Sequence, residues 1–205
     1  MSTDDLEQRL RAFAPEPDEL PDVSGPAARA GLLDVAYATL ESPVGELLLA
    51  ATEAGLVQVA YVDAAQMDGL LARLADRVSP RVLSAPRRLD EPRRELDEYF
   101  TGRRRSFDFA LDERLMSAFA RRVMTAAAAI PYGAVSTYAQ VAAQAGSPHG
   151  ARAAGNALGS NPLPIILPCH RVLRSGGNLG GYTGGVDRKR TLLAIEQGQL
   201  PLGSS

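Results

Sequence analysis

The stretch from Pro131 to Val172 constrains this chain more tightly than any other. Pro131 ends whatever helix precedes it, because its ring clashes with the preceding turn and supplies no N–H. Thr137-Tyr138-Ala139-Gln140 then fits a capping box, in which the Thr hydroxyl and the Gln amide satisfy each other's orphan backbone N–H groups. The helix so opened ends at Gly146. Ser147-Pro148 is expected to start a second, with Ser147 as N-cap and Pro148 in the first helical position, running to near Gly159. Two short helices joined by a glycine turn form either a helix-turn-helix or a plain αα-hairpin in a core. Ala142, Ala143, Ala145, Ala153, Ala154, Gly155 and Ala157 let the two backbones approach closely. Immediately afterwards, Asn161–Val172 carries Pro162, Pro164 and Pro168 around the apolar triplet Ile165-Ile166-Leu167. Such a backbone is stiff, which suits one side chain held in a fixed place.

The rest of the chain reads as an α+β protein. Val35–Leu40, Glu46–Thr52 and Leu56–Val62 are short strand-like runs separated by Ser42-Pro43-Val44-Gly45 and Glu53-Ala54-Gly55, which predicts an antiparallel meander. Ala64–Arg77 and Asp90–Phe100 have helical spacing, and Ser106–Leu111 alternates like one more strand. Leu115, Phe119, Val123 and Ala127 form a stripe on a helix that must stop before Pro131, and Thr191–Gln197 is a further helical run. The expected organisation is a flexible extension over 1–33, in which LEQRLRAF reads as a short helix, and a small α+β domain over 34–112. A mostly helical domain follows over 113–200, then a tail over 201–205.

Charge divides along the same boundary. Residues 114–205 hold nine cationic side chains against Asp187 and Glu196, a net of +7, so the first 113 residues carry −9 within a total of −2. A basic half joined to an acidic half points to a polyanion meeting the C-terminal half, or to a merely solvated surface. Between Arg122 and Arg171 the only charged residue is Arg152, on the second helix of the pair, set among small side chains. A cation so placed can reach phosphate or enter a base stack. No apolar run approaches the roughly 18 residues that span a bilayer. The acidic start MSTDDLEQRL lacks a signal-peptide core, so a cytoplasmic location is expected.

One cysteine excludes an internal disulfide, and Cys169 with His149 and His170 alone makes a structural zinc site unexpected; no metal or other cofactor is anticipated. Cys169 is then either a small buried hydrophobe or a reactive thiol. An apolar pocket raises a thiol pKa, so a reactive Cys169 needs a base, and His170 is the nearest candidate, with Asp187 or Glu196 to orient it. On a regular strand neighbouring side chains point to opposite faces, so contact between the two requires a turn or an intervening water.

These residues also carry a resemblance. Pro168-Cys169-His170-Arg171-Val172 resembles the active-site signature of the O6-alkylguanine-DNA alkyltransferases. IPYGAVSTYAQVA, GARAAGNALGSNPLPIILPCHRV and GGYTGG followed by LLAIE occur in that family's order and spacing, over about residues 114–198 and more loosely from residue 35. The resemblance implies an RNase H-like N-terminal domain and a helical C-terminal domain with a helix-turn-helix. It implies a monomer that takes the alkyl group from O6-alkylguanine in double-stranded DNA onto Cys169 once, after flipping the damaged nucleotide. His170 would be the base acting through a water, and Glu196 would orient it. Tyr138 would crowd a phosphate and donate to the flipped guanine, and Arg152 would fill the gap left in the stack. Ala151, Gly155, Asn156 and Arg171 would complete the DNA contacts. Asn161 would brace the turn to the active-site segment. Pro164, Val172, Tyr182, Thr183 and Gly184 would line the substrate pocket. Alternatives in other classes are a lesion-binding module without chemistry, a sequence-specific regulator built on the helix pair, and a cysteine hydrolase.

Overall fold

The computed structural model describes residues 24–62 and 66–199. The anticipated helix at LEQRLRAF, the first two residues of Ala64–Arg77 and the tail 201–205 lie outside them. The described elements begin with helix α1 (Ser24–Arg29), followed by strands β1 (Val35–Leu40), β2 (Leu47–Thr52) and β3 (Gly55–Tyr61). Helix α2 (Met67–Arg77), strand β4 (Val82–Ser84) and helix α3 (Asp90–Phe100) complete the N-terminal region. The C-terminal region contains α4 (Ala118–Ala128), β5 (Ser136–Thr137), α5 (Tyr138–Gln144), α6 (Ala151–Gly159), β6 (Val172–Leu173) and α7 (Val186–Glu196).

The meander forms as the turn signals indicate, with β1–β2 and β2–β3 antiparallel. Its central strand is buried on both sides, which is why Leu47-Leu48-Leu49-Ala50 is apolar without alternation. Leu47 and Leu49 pack with Leu96, Tyr99 and Phe100 of α3, whereas Leu48 and Ala50 pack with Leu70 and Leu74 of α2. A fourth strand, β4, pairs parallel with β1 and gives the order β3-β2-β1-β4. Three residues leave too short a period to be recognised in sequence. Leu33, at the entry to β1, is buried against Ala36 and Ala85.

The strand expected at Ser106–Leu111 does not form. Only one bridge exists there, between Leu56 and Leu111, closed by Leu56 N–H to the Ala110 carbonyl (2.9 Å) and Asp112 N–H to the Leu56 carbonyl (2.8 Å). The edge of β3 is shared with a second segment, since Val59 N–H donates to the Pro162 carbonyl (2.8 Å). Phe107 and Phe109 instead pack against the core, with Phe107 on Tyr99. The stripe predicted from Leu115 is also shorter than expected. Leu115 sits in a separate 3-10 turn, Glu113–Leu115, and packs on the α2 side of the sheet, while α4 begins after Ser117, whose hydroxyl accepts from Ala120 N–H.

The capping box at Thr137 is present with both its bonds. The glycine stop is a Schellman closure: Gly146 has φ +78°, its N–H reaches the Ala143 carbonyl, and Ser147 N–H reaches the Ala142 carbonyl. That closure corrects the start of the second helix. Ser147 is engaged in the first helix's end and in a turn to Gly150 N–H, so Ser147 and Pro148 are linker, and α6 starts at Ala151 with Gly150 before it. Ala142, Ala145, Ala154 and Ala157 are buried where the helices meet.

Candidate active site

Three scaffolds converge on Cys169. The first is the stiff segment after α6. Asn161 Nδ2 donates to the Leu167 carbonyl (2.8 Å) and to Cys169 Sγ (3.2 Å), and its Oδ1 accepts from Leu163 N–H (2.9 Å). One side chain thus ties the end of α6 to the thiol. Within this loop Ile165 has φ +75°, a conformation that a β-branched residue adopts only at a cost of about 1–3 kcal/mol. The surrounding prolines and Asn161 hold it there. The second scaffold is a 3-10 turn over Cys169–Arg171, in place of the regular strand that would have set Cys169 and His170 on opposite faces. Both side chains are buried, and no direct hydrogen bond joins them among the described residues.

The third scaffold is α7, which brings Glu196 under the turn. Glu196 Oε1 lies 2.8 Å from His170 Nε2 and accepts from Tyr99 OH (2.8 Å), while Arg171 binds both carboxylate oxygens. Gly133 N–H adds a bond to Oε2 (3.0 Å). Burial alone would raise this carboxyl, but the donors from His170, Arg171 and Gly133 outweigh it and hold Glu196 at a pKa of about 2. Burial lowers the pKa of His170 despite the carboxylate beside it, so the ring is neutral at pH 7. With Nε2 facing a charged acceptor, the proton sits on Nε2 and Nδ1 carries the free lone pair. That Nδ1 is buried and has no partner among the described residues.

Burial also pushes the Cys169 thiol up to about 11, opposed by the Asn161 donor, the Lys189 charge and the backbone N–H groups of Cys169 and His170. Lys189 is fully buried, its ammonium bound to the carbonyls of Val172 (2.6 Å) and Leu179 (2.5 Å), and burial lowers it to about 8. The sulfur opens into a cavity of about 540 Å³. Tyr138 and Gly155 form one wall, Tyr182 and Thr183 another, and Arg152 and Arg174 stand at exposed positions on its lining.

A family model described as the 6-O-methylguanine DNA methyltransferase DNA binding domain matches residues 118–198, and the ribonuclease-like domain of the same methyltransferase matches residues 35–113. The chain belongs to this family. A methylated-DNA–protein-cysteine methyltransferase of Mycolicibacterium paratuberculosis is 40% identical over 167 residues, spanning 82% of this chain and 95% of that protein. The constitutive enzyme of that name from Bacillus subtilis is 35% identical, spanning 78% of this chain and 94% of that one. Among solved structures, Mycobacterium tuberculosis OGT in complex with DNA superposes with a TM-score of 0.70 at 36% identity, over 82% of this chain and 96% of that one.

In this member of the methyltransferase family most of the anticipated residues gather, with exceptions. Cys169, Tyr138, Arg152, Ala151, Gly155, Tyr182 and Thr183 share the thiol cavity, with His170, Glu196 and Asn161 behind the sulfur. Arg171 is corrected: it is buried, with all three guanidinium nitrogens bonded to Glu196 or the Ile130 carbonyl, so it is not presented to a phosphate at the surface. Pro164 lines a neighbouring groove rather than the thiol cavity, and Gly184 is packed under Tyr61. Val172 is buried with its carbonyl taken by Lys189, and Asn156 is exposed on α6 outside the cavity lining. Sequence reasoning missed Tyr61, Tyr99, Arg174 and Lys189. Their only signal was residue type, since each reaches the site through tertiary contact.

Proposed function

We propose that this protein repairs O6-alkylguanine in double-stranded DNA by transferring the alkyl group to Cys169, once per molecule. The observation that carries this reading is the chain's single cysteine at a cavity wall, with a neutral His170 oriented by a buried, ionised Glu196 behind it. In the reaction, the thiol proton passes through a bridging water to His170 Nδ1, and the sulfur attacks the alkyl carbon. The C–S bond forms as the C–O6 bond breaks, and guanine departs with the electron pair. Tyr138 donates toward the purine and stabilises that departing charge. A thioether has no route back to thiol without a second nucleophile, and the chain holds no other cysteine.

The alkyl carbon is hidden in a base stack, so the nucleotide must be flipped at a cost of a few kcal/mol. Arg152, exposed on α6 and without a partner among the described residues, would fill the vacated position. Ala151, Gly155 and Asn156 are small enough to let that helix approach the duplex, and Arg174 adds a phosphate contact in place of Arg171. The protein is taken to act as a monomer in the cytoplasm. Intact-protein mass spectrometry after incubation with an O6-methylguanine duplex tests the reading. One methyl per protein on Cys169, and none in Cys169→Ala, is expected; repeated turnover or a methyl elsewhere would overturn it.

A further inference from the structure

Tyr61 belongs to β3, in the other domain from Cys169, yet its hydroxyl lies 2.7 Å from that of Tyr182. Tyr182 lines the thiol cavity. Tyr61 lines a second groove of about 510 Å³, together with Leu70, Arg73, Asn161 and Pro164. Thr183 borders both. The two tyrosines and Thr183 are therefore a thin partition between two spaces.

Each part of that partition is anchored separately. The rings of Tyr61 and Tyr182 meet edge to face with centroids 6.1 Å apart. The Tyr61 ring lies under the Arg188 guanidinium (4.7 Å), which itself holds the Val44 and Gly184 carbonyls at 2.7 and 3.0 Å. It also packs so closely on Gly184 that any Cβ at position 184 would collide with it. Thr183 Oγ1 donates to the Gly159 carbonyl (2.8 Å). The Tyr182 hydroxyl, by contrast, has Tyr61 as its only partner among the described residues. A half-buried phenol that loses its partner is unfavourable, so this bond adds to the ring packing in holding Tyr182 against Tyr61.

From this geometry we infer that Tyr61 is a specificity-determining residue, whose hydrogen bond latches Tyr182 as the wall that limits the size of the group delivered to Cys169. The inference rests on the alkyl-transfer reading above. A methyl group needs no more than the thiol cavity. A bulkier O6 substituent presses on the lining beside the sulfur, and the partition is the part of that lining with open space behind it. Entry of such a group then costs the Tyr61–Tyr182 bond. A methyl substrate instead relies on the latched wall for its position.

Single-turnover rates of Tyr61→Phe on duplexes containing O6-methylguanine or O6-benzylguanine test this, because phenylalanine keeps the ring contacts with Gly184 and Arg188. The benzyl-to-methyl rate ratio should rise about tenfold, the equivalent of one lost hydrogen bond. In a Tyr182→Phe background, adding Tyr61→Phe should change the ratio no further, since the bond is already gone. A ratio unchanged in Tyr61→Phe, or a shift equally large with and without the Tyr182 hydroxyl, would overturn the latch. Equal losses on both substrates accompanied by a lower melting temperature would reduce Tyr61 to a structural residue. A wild-type chain that transfers neither group overturns the alkyl-transfer reading and the latch with it. A wild-type chain that transfers both, with the ratio unmoved by Tyr61→Phe, overturns the latch alone.

Discussion

Replacing Glu196 by glutamine keeps the shape of the side chain and removes its charge. In the native protein that carboxylate accepts from His170, Tyr99, Arg171 and Gly133, and it is 6% exposed. Arg171, 7% exposed, would be left buried without a counterion. Two routes give the size of the effect. Holding Glu196 at about 2 rather than its ordinary 4.5 corresponds to about 3 kcal/mol of stability at pH 7. Removing one partner of a buried ion pair costs about 3–5 kcal/mol. The expectation is therefore a loss of about 3–5 kcal/mol in urea unfolding at pH 7, a large share of the ~5–15 kcal/mol typical of a domain.

The pH dependence carries a sign. A carboxylate with a depressed folded pKa stabilises fully above 4.5, and that contribution is lost as pH falls toward about 2. The gap between wild type and Glu196→Gln should accordingly narrow over that window. His170, lowered by burial, adds a separate loss as pH falls below 6.5, because the unfolded chain takes up its proton first. A loss under about 1 kcal/mol at pH 7, or a gap indifferent to pH, would refute the claim that Glu196 is an ionised hub.

Asn161→Ala removes the donor to Cys169 Sγ and two struts of the loop, so transfer from free O6-benzylguanine at pH 8 should slow about tenfold or more, measured by single-turnover mass spectrometry. An unchanged rate would separate Asn161 from the thiol. Arg152→Ala should impair repair in duplex DNA far more than transfer from that free base, and equal losses would argue against its role in the stack. Lys189 is depressed to about 8, so the unfolded chain binds its proton more readily between pH 8 and 10.5. Wild type should therefore gain up to about 3 kcal/mol relative to Lys189→Met as pH rises through that window, read from paired denaturation curves.

Local patterns were legible where a local rule decides the outcome. The meander follows from turn residues and apolar runs, the start of α5 from the Thr137–Gln140 capping box, and its end from Gly146. Errors arose where a segment's partner lies far away in sequence. Ser106–Leu111 has a strand's alternation, but β3 offers it one bridge and gives another edge position to Pro162. Ser147-Pro148 has the residues of a helix start, but the closure of the preceding helix consumes them.

The same division runs through the site. Which groups are present is written along the chain: one thiol, an adjacent imidazole, a carboxylate on the last helix and a lone cation on α6. What each one does depends on how the chain packs, because charge, burial and hydrogen-bond partners are properties of packed surroundings. Arg171 is the clearest case, a cation that looks free for DNA yet is buried with its hydrogen bonds on Glu196 and the Ile130 carbonyl. Tyr61 is the converse, a residue without any motif that a strand edge carries to 2.7 Å from Tyr182. Spacing along the chain records neighbours in sequence, and the groups that set a pKa or hold a wall are neighbours in space.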